Sequence, residues 1–438
     1  MTTPQEPNPG SSDSSGPSAA SSSEPSPASS PADTSVWPFL RRRSVSSLLL
    51  SRVLASSAAV TMAIAMGKYV FDITGREADI GFVGLAEFLP TFLLVLWAGS
   101  LADRFDRRTI AAVAYLGEGA AAFATAWFVA GDSTKVWPLF LLTASFGLAR
   151  GFANPASRAL PANVVSREEL PRLVSLLAAS WQFAAIGAPL AVGALYTLDP
   201  AYTFAAIGFM NVASSVAIYL VTLHEKQAIN VERPSLSDAL AGLRLVRRTP
   251  LLLGAIGLDL FAVLLGGVVA LAPPIAANLL DAPDAAAFWL RAAGGAGAAV
   301  TAFWLATRPV ERNVGRILLQ AVAVFGLVTV FVGLSRSLVL TLLLFALLAA
   351  ADMVSVFVRA TLVPLVTPDG LRGRVLAVEA VFIGASNELG AFESGITAEW
   401  FGLVPAIVIS GVATLLVVAA FAAFMPELRK LDRFSDIP

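Results

Sequence analysis

The sequence predicts an all-α integral membrane protein, with twelve transmembrane helices arranged as two pseudo-symmetric six-helix bundles. Three observations support this fold class: the apolar composition, the spacing of the apolar runs, and the uneven distribution of basic residues. Of the 438 residues, 56% are hydrophobic and 14% are charged, whereas soluble domains average about 45–50% apolar and about 25% charged residues. With a mean hydropathy of +0.74, the chain has too few polar side chains to cover its surface in water.

Twelve apolar runs, each long enough to cross a bilayer, follow one another after residue 40. Because backbone groups in lipid must pair within their own segment, we expect these runs to be helices. The predicted spans are 46–71, 79–101, 108–130, 136–157, 171–197, 201–222, 250–279, 284–307, 313–334, 337–364, 375–399 and 402–425.

Polar segments divide the chain into five parts. The N-terminal segment is rich in Ser, Pro and Ala with few large apolar side chains, which is typical of a disordered tail. In the longest polar break, leucines alternate with arginines in a pattern that favours an amphipathic helix over 236–248. The predicted parts are a cytoplasmic tail at 1–40, a six-helix bundle at 41–222, a cytoplasmic linker at 223–249, a second bundle at 250–425 and a cytoplasmic tail at 426–438.

Basic residues mark one side of the predicted membrane protein. Most of the 30 Lys and Arg residues, Arg158 and Arg359 among them, are assigned to loops or span ends on the side of the chain termini. The exceptions are Arg76, Lys135 and Arg336 in loops on the other side, and Arg52, Lys68, Arg150 and Arg291 within spans. Because cytoplasmic loops are enriched in Lys and Arg, both termini are predicted to be cytoplasmic, with the protein in a bacterial inner membrane.

Residue counts exclude several kinds of chemistry. The chain has no cysteine, which excludes disulfides, thiolate metal sites and cysteine nucleophiles. Its single histidine, His224, argues against His-based metal sites and catalytic triads. The net charge of −1 gives no overall field that would attract nucleic acid. We therefore expect no enzymatic activity, no metal or cofactor, and no nucleic-acid partner.

The two halves of the chain show a short internal match. Arg158-Ala159 and Val165-Ser166 in the first half align with Arg359-Ala360 and Val366-Thr367 in the second at one constant offset. Parallel six-span repeats are a transporter architecture, in which the substrate path lies at the interface of the repeats.

Three further motifs carry a family resemblance. Residues 99–108 read GSLADRFDRR, 147–152 read GLARGF, and 187–193 read GAPLAVG. They resemble the loop 2–3 signature, the fourth-span arginine signature and the fifth-span exporter motif of the major facilitator superfamily, with Asp106 where the first signature usually has glycine. In the fifth-span motif, Gly187, Pro189 and Gly193 match, while Ala188 and Val192 replace glycines. Residues 259–263 and 371–375 resemble the enterobactin-exporter-like branch, which exports siderophores or drugs.

The resemblance implies positions for the charged residues. Spans 1, 4, 7 and 10 line the central cavity in that superfamily, which places Arg52, Arg150, Asp259 and Asp352 there. Arg150 maps beside Asp352 at the repeat offset, so the two are expected to pair across the cavity. This pair would either break during transport or tie the two halves together permanently. The loop signature is expected to close the cytoplasmic side against the start of span 11. The residues assigned to this gate are Gly99, Asp103, Arg104, Arg107, Arg108 and Glu379, with Glu379 paired to Arg104 or Arg108.

Span 11 carries the best candidate for a proton carrier. Glu388 lies deep in the predicted span beside Asn387, and burial favours the neutral form of a carboxyl group, so that it exchanges a proton near neutral pH. Glu87 on span 2 and Glu118 on span 3 compete for this role, although Glu118 is expected at the periphery of its bundle. Lys68 and Asp72, one turn apart, are expected to pair locally.

The resulting expectation is a secondary transporter: a monomeric, proton-coupled exporter of a small amphipathic compound such as a siderophore or drug. Its expected partners are that small molecule, protons and the lipid bilayer. A lysolipid or lipid transporter of the same fold is an alternative that the apolar composition does not separate. A membrane-embedded enzyme or receptor is a further alternative, against which the scarcity of histidine and cysteine argues.

Overall fold

The computed structural model describes residues 36–166, 168–223 and 236–436, apart from the side chains at 36–37, 95–104 and 236–240. The predicted disordered tail, up to residue 35, and His224 lie outside these ranges. Within them the protein is helical, and twelve long helices occupy the twelve predicted positions, which confirms the fold class. Spans 1 to 12 are Arg43–Thr74, Glu77–Arg104, Arg107–Ala130, Trp137–Ala159, Leu170–Tyr196, Pro200–Tyr219, Pro250–Leu279, Ala286–Thr307, Val314–Leu334, Leu338–Val366, Arg372–Phe401 and Leu403–Phe424.

Differences between predicted and observed helix ends have simple local causes. Spans 1 and 11 begin three residues earlier than predicted, at Arg43 and Arg372, because their polar first turns do not belong to an apolar run. Span 7 is a regular α-helix from Pro250 to Leu265 and continues to Leu279 as a 3₁₀ segment, a single α turn and a π segment. Gly266, Gly267 and two consecutive prolines interrupt its hydrogen-bond ladder.

Not every span is strongly apolar. In the part of the chain that the structure describes, nine helices are long and apolar enough to cross a bilayer on composition alone. Spans 4 and 8, whose side chains are described along their whole length, do not reach this level, and they carry Arg150 and Arg291, respectively. These two spans thus give up apolar character where they bring a charge into the molecule.

Each half of the chain packs around its own apolar core. Phe146, Phe204 and Met62 are fully buried in the first half, and Phe345 and Val328 are buried in the second. Since lipid supplies no hydrophobic force between helices, close contact of small residues is what holds such bundles together.

Glycine contacts repeat between the halves. Gly147 of span 4 lies against the backbone of Glu87 in span 2, and Gly297 of span 8 lies against the backbone of Ala346 in span 10. Spans 3 and 6 meet at Gly119, and spans 9 and 12 meet at Gly326. Equivalent helix pairs therefore approach closely in both bundles, as a repeat architecture requires.

The two sides of the molecule can be told apart by the chain ends. Arg42, just before span 1, pairs with Glu169 in the loop before span 5 at 2.7 Å. Near the C-terminus, Asp432 lies 3.7 Å from Arg312, in the loop before span 9. We call this side, which carries the arginine-rich loops and both described chain ends, the basic side. The other is called the opposite side.

The halves touch toward the opposite side. A Cβ on Gly81 of span 2 would lie 2.8 Å from the Cα of Phe392 in span 11, and a Cβ on Gly295 of span 8 would lie 2.9 Å from the carbonyl oxygen of Ala185 in span 5. The rings of Phe82 and Phe392 pack edge to face at 5.2 Å.

Toward the basic side the same helix faces are exposed. On span 11, the face that contacts span 2 continues through Ala380 and Ala377, which are both exposed. On span 5, the face that contacts span 8 continues through Trp181 and Val174, which are 42% and 51% exposed. The molecule is therefore closed on the opposite side and open on the basic side.

The helix between the halves, Leu236–Arg248, packs on the second half. A Cβ on Gly242 would lie 2.8 Å from the carbonyl oxygen of Arg374 in span 11. Val246 is buried with Leu252 and Val375. This linker helix is thus part of the second bundle rather than a free connector.

Gly147→Ala tests the tight helix crossing in the first half. The added methyl group would meet the Glu87 backbone, and overpacking of this kind costs about 1–3 kcal/mol. We expect a lower melting temperature for purified protein in detergent. Gly187→Ala is the matched control, because a Cβ there meets nothing within 4 Å and alanine favours the helix by up to about 1 kcal/mol. Equal melting temperatures for both variants would contradict the packing.

Candidate functional site

An ion pair between spans 2 and 4 lies at the centre of the first half. The guanidinium of Arg150 donates to Oε1 of Glu87 at 2.6 Å. One turn further along span 2, the Thr91 hydroxyl donates to the carbonyl oxygen of Gly147 at 2.7 Å. The prediction that Arg150 pairs with Asp352 across the cavity is therefore wrong in this conformation, because Glu87 of the same half lies closer.

Glu388 of span 11 lies where the two halves meet. A Cβ on Gly84 of span 2 would be 3.0 Å from its Oε2 atom, so the carboxylate sits directly against the first half. The charges of Glu87, Arg150 and Arg291 all act on Glu388. Among the described side chains, none donates a hydrogen bond to it. Its neighbour Asn387 is exposed, and its amide donates to the carbonyl oxygen of Ile383 in its own helix.

The prediction that Glu118 lies at the periphery of its bundle is wrong. Its side chain is buried inside the first half, with 2% of its surface exposed, and the charges of Arg150 and Glu87 act on it. Span 3 packs on span 6 through the neighbouring Gly119, which turns Glu118 inward rather than toward lipid.

The second half holds a separate buried charge cluster. Arg359 of span 10 lies 2.7 Å from Asp259 of span 7 and 3.8 Å from Glu379 of span 11. All three side chains are buried. Asp352, two turns before Arg359, lines a small cavity next to Asp259. Of the predicted cavity residues, Asp259 and Asp352 are thus brought together, around an arginine that the sequence had assigned to a loop.

Among the described side chains of the first half, the equivalent place near the basic side holds a cavity rather than an ion cluster. Arg52 of span 1 and Arg158, in the last turn of span 4, line one cavity of about 150 Å³. Tyr115 of span 3 and Ser157 also line it. Arg52 therefore faces a cavity shared with a second arginine, which the assignment of Arg158 to a loop did not anticipate.

The structure describes the side chains of only some of the predicted gate residues. The side chains of Gly99, Asp103 and Arg104 lie outside the description. Arg107 donates to Asn163 at 3.3 Å. Arg108 pairs with Asp106 and donates to the carbonyl oxygen of Val221. In this conformation, which is open on the basic side, Arg108 and Glu379 each pair within their own half. The contact of Glu379 with Arg104 or Arg108 therefore stays a prediction for a state that is closed on the basic side.

The fifth-span motif has two different environments. A Cβ on Gly193 would lie 2.8 Å from Phe288 of span 8, and Pro189 is buried within the helix. Gly187 has open space beside it. Gly193 is thus a contact point between the halves, whereas Gly187 is not required by packing.

On the opposite side, Lys68 links the halves. Its buried ammonium group lies 2.5 Å from Asp72, one turn along span 1, as the spacing predicts. It also lies 3.0 Å from Asp284, in the loop between spans 7 and 8. The hydroxyl of Tyr196 donates to Asp72 at 2.6 Å. This link between Lys68 and Asp284 closes the opposite side with a pair that can separate when the halves move.

Sequence reasoning missed Arg158, Arg291 and Arg359 as parts of these clusters. Arg158 and Arg359 were placed in loops because they lie close to predicted span ends. The repeat match that aligns Arg158 with Arg359 was a usable signal, because an equivalent arginine in both halves indicates a structured position.

Comparisons with known proteins agree with this architecture. A family model of the MFS transporters, described as transmembrane secretion effector, matches residues 34–438. The uncharacterized MFS-type transporter YfiS of Bacillus subtilis (strain 168) is 22% identical over 402 residues, which are 86% of this chain and 92% of that protein.

Solved structures share the fold at low sequence identity. A bacterial homologue of the human lysosomal transporter Spinster, in an inward-facing and unoccupied conformation, is 14% identical, with a TM-score of 0.68 over 88% of this chain and 96% of its own. The nucleoside transporter NupG is 14% identical, with a TM-score of 0.66 over 88% of this chain and 99% of its own.

Asp284→Asn tests the link on the opposite side. Removing one charge of this partly exposed pair weakens closure of the opposite side by about 0.2–1 kcal/mol. The molecule then spends less time open on the basic side, so residues such as Ala377 should be less exposed there. Since the chain has no cysteine, an Ala377→Cys reporter can be labelled selectively with a polar maleimide. Asp281→Asn, in the same loop, is the control and should label at the unaltered rate. Faster labelling with Asp284→Asn would contradict the role of the link.

Proposed function

Because the chain belongs to the transmembrane secretion effector family of the MFS transporters, we propose that it is a proton-coupled exporter of a small amphipathic compound. The protein is a membrane transporter and not an enzyme. We further propose that the basic side is cytoplasmic, since Lys and Arg are enriched in cytoplasmic loops. In that orientation the described conformation faces inward.

One observation carries the coupling proposal: the carboxylate of Glu388 lies in the contact between the halves. The Cβ position of Gly84 is 3.0 Å from it, so any separation of spans 2 and 11 on this side changes its surroundings. An ionisable group inside the membrane is expensive and is by default a functional candidate. Glu388 is therefore placed to sense which side of the transporter is open.

The neighbouring charges explain why Glu388, rather than Glu87, carries the proton. Glu87 has a direct partner in Arg150 at 2.6 Å. Within the described residues, Glu388 has no such donor, and the negative charge of Glu87 acts on it from the other half. Burial next to a like charge favours the neutral, protonated carboxyl group.

The direction of coupling follows from the same contacts. A protonated Glu388 is compatible with the closed contact against Gly84, whereas an ionised Glu388 favours separation of spans 2 and 11 and entry of water. Protons taken up from the opposite side would thus favour the inward-facing state, and their release would favour the outward-facing state. Alternating access requires only this kind of differential stabilisation of two states.

The substrate is proposed to be a siderophore or a drug. A cavity open toward the basic side with exposed apolar faces, including Trp181 and Ala377, suits a compound with both polar and apolar parts. The similarity of residues 259–263 and 371–375 to the enterobactin-exporter-like branch supports this choice.

Glu388→Gln tests the coupling. In wild-type protein, raising the pH ionises Glu388, opens the opposite side and slows labelling of Ala377→Cys from the basic side. The glutamine mimics the protonated form, so labelling should stay fast at both acidic and alkaline pH. Glu393→Gln is the control on the same helix, because Glu393 accepts a hydrogen bond from Thr397 in its own span. A pH response that survives in Glu388→Gln would refute the assignment.

A deletion strain tests the substrate class. If the substrate is a siderophore, we expect loss of extracellular siderophore and poor growth only under iron limitation. If it is a drug, we expect increased sensitivity to amphipathic antibiotics in iron-replete medium. A chain carrying Glu393→Gln should restore either phenotype, and Glu388→Gln should not. Unchanged growth and unchanged siderophore release in both media would contradict the proposed substrates.

A further inference from the structure

The cavity at the basic side of the first half is lined by two arginines. Arg52 and Arg158 both border a space of about 150 Å³, with Ser51, Ser157 and Tyr115 beside them. In the described structure, neither arginine has a carboxylate within ion-pair distance. The charges that act on Arg158 are those of Arg52 and Arg150, which are both positive.

The equivalent position in the second half has its own counter-ions. Arg359 aligns with Arg158 in the internal repeat, and it pairs with Asp259 of span 7 at 2.7 Å and with Glu379. In the first half, span 1 contributes a second arginine, Arg52, whereas span 7 of the second half contributes the acid Asp259. The first half therefore has a cavity and two positive charges where the second half has a closed ion cluster.

The nearest acidic residue does not neutralise this pair. Glu118 lies one turn beyond Tyr115 on span 3, but the charges that act on it are those of Arg150 and Glu87. Two guanidinium groups that face one cavity repel each other. An anion in the cavity would relieve this repulsion, and guanidinium groups bind carboxylates and phosphates in a matching planar geometry.

The cavity is large enough for a head group but not for a whole drug-sized molecule, which requires about 300–1,000 Å³. Next to it, an apolar strip runs along span 5. Val174 lines the cavity, and Ala178 and Trp181 follow at helical spacing on the same exposed face. This strip leads from the two arginines toward Ala185, where span 5 meets span 8.

We propose that Arg52 and Arg158 bind the anionic group of the transported compound, while its apolar part lies along the span 5 strip. The substrate class is thus an amphipathic anion that carries a carboxylate, phosphate or sulfonate. This inference rests on the proposed transport function, but it does not depend on proton coupling through Glu388. The same chemistry is found in the head groups of anionic lipids, and the experiment distinguishes the two sources.

Binding of 1-naphthyl phosphate and 1-naphthoate to the purified full-length chain tests the proposal by calorimetry, with 1-naphthol as the neutral analogue. We expect the anions to bind at least about tenfold more tightly than 1-naphthol, in line with charge-assisted hydrogen bonds. Arg52→Gln and Arg158→Gln should each remove about this tenfold preference. Arg308→Gln, an exposed arginine on the same side, should bind like the wild type.

Four outcomes decide whether the two arginines form a binding site for the substrate's anionic group. Equal affinity for the anions and 1-naphthol in the wild type, or an anion preference that survives in the Arg52→Gln/Arg158→Gln double variant, would overturn the proposal. In nanodiscs, binding that persists in phosphatidylcholine with added phosphatidylglycerol supports a soluble substrate. Binding lost only with phosphatidylglycerol would assign the site to a lipid and overturn the substrate assignment.

Glu388→Gln should retain anion binding. The experiment therefore distinguishes failure of the proton-coupling proposal from failure of the anion-site proposal.

Discussion

Charged side chains within a bilayer require partners, and this constraint organises the interior of the molecule. Glu87 and Arg150 satisfy each other within the first half, and Asp259 and Arg359 do so within the second. Breaking a fully buried pair, such as that of Asp259 and Arg359, by removing one partner costs about 3–5 kcal/mol. Because each pair lies inside one half, the halves can move past each other without breaking either. The charges outside these pairs are the ones available for coupling and binding.

The contact between the halves has a different character from the contacts inside them. On the opposite side it consists of glycine and aromatic contacts, such as those of Gly81 and Phe392. Two ion pairs are added to them in the described structure: one joins Lys68 to the exposed Asp284, and the other joins Arg76 to Glu399. Weak, partly hydrated contacts of this kind cost little to break. The buried bundles provide two stable bodies, and the interface between them provides the energetic balance between states.

The sequence was sufficient to predict the helices but not the charge pairs. Apolar runs and breaks place all twelve spans, because spanning a bilayer imposes both length and composition. The local pair of Lys68 and Asp72 was also predictable, since it depends on spacing along one helix. The partner of Arg150 was not, because the choice between Glu87 and Asp352 depends on how helices pack. Arg359 was misplaced because a charge near a span end gives no indication of whether it turns inward or toward water.

The position of the linker helix has a consequence for how the protein is assembled. Gly242 and Val246 pack this helix on the second bundle. The segment of chain that connects the two bundles therefore ends before Leu236 rather than at the start of span 7. Two polypeptides separated between residues 223 and 236 would each contain a complete bundle, with the linker helix retained by the second. Their reassociation in one membrane would depend on the contacts of spans 2 and 11 and of spans 5 and 8. The chain connection would then serve to deliver both bodies to the same place in equal numbers, rather than to transmit force between them.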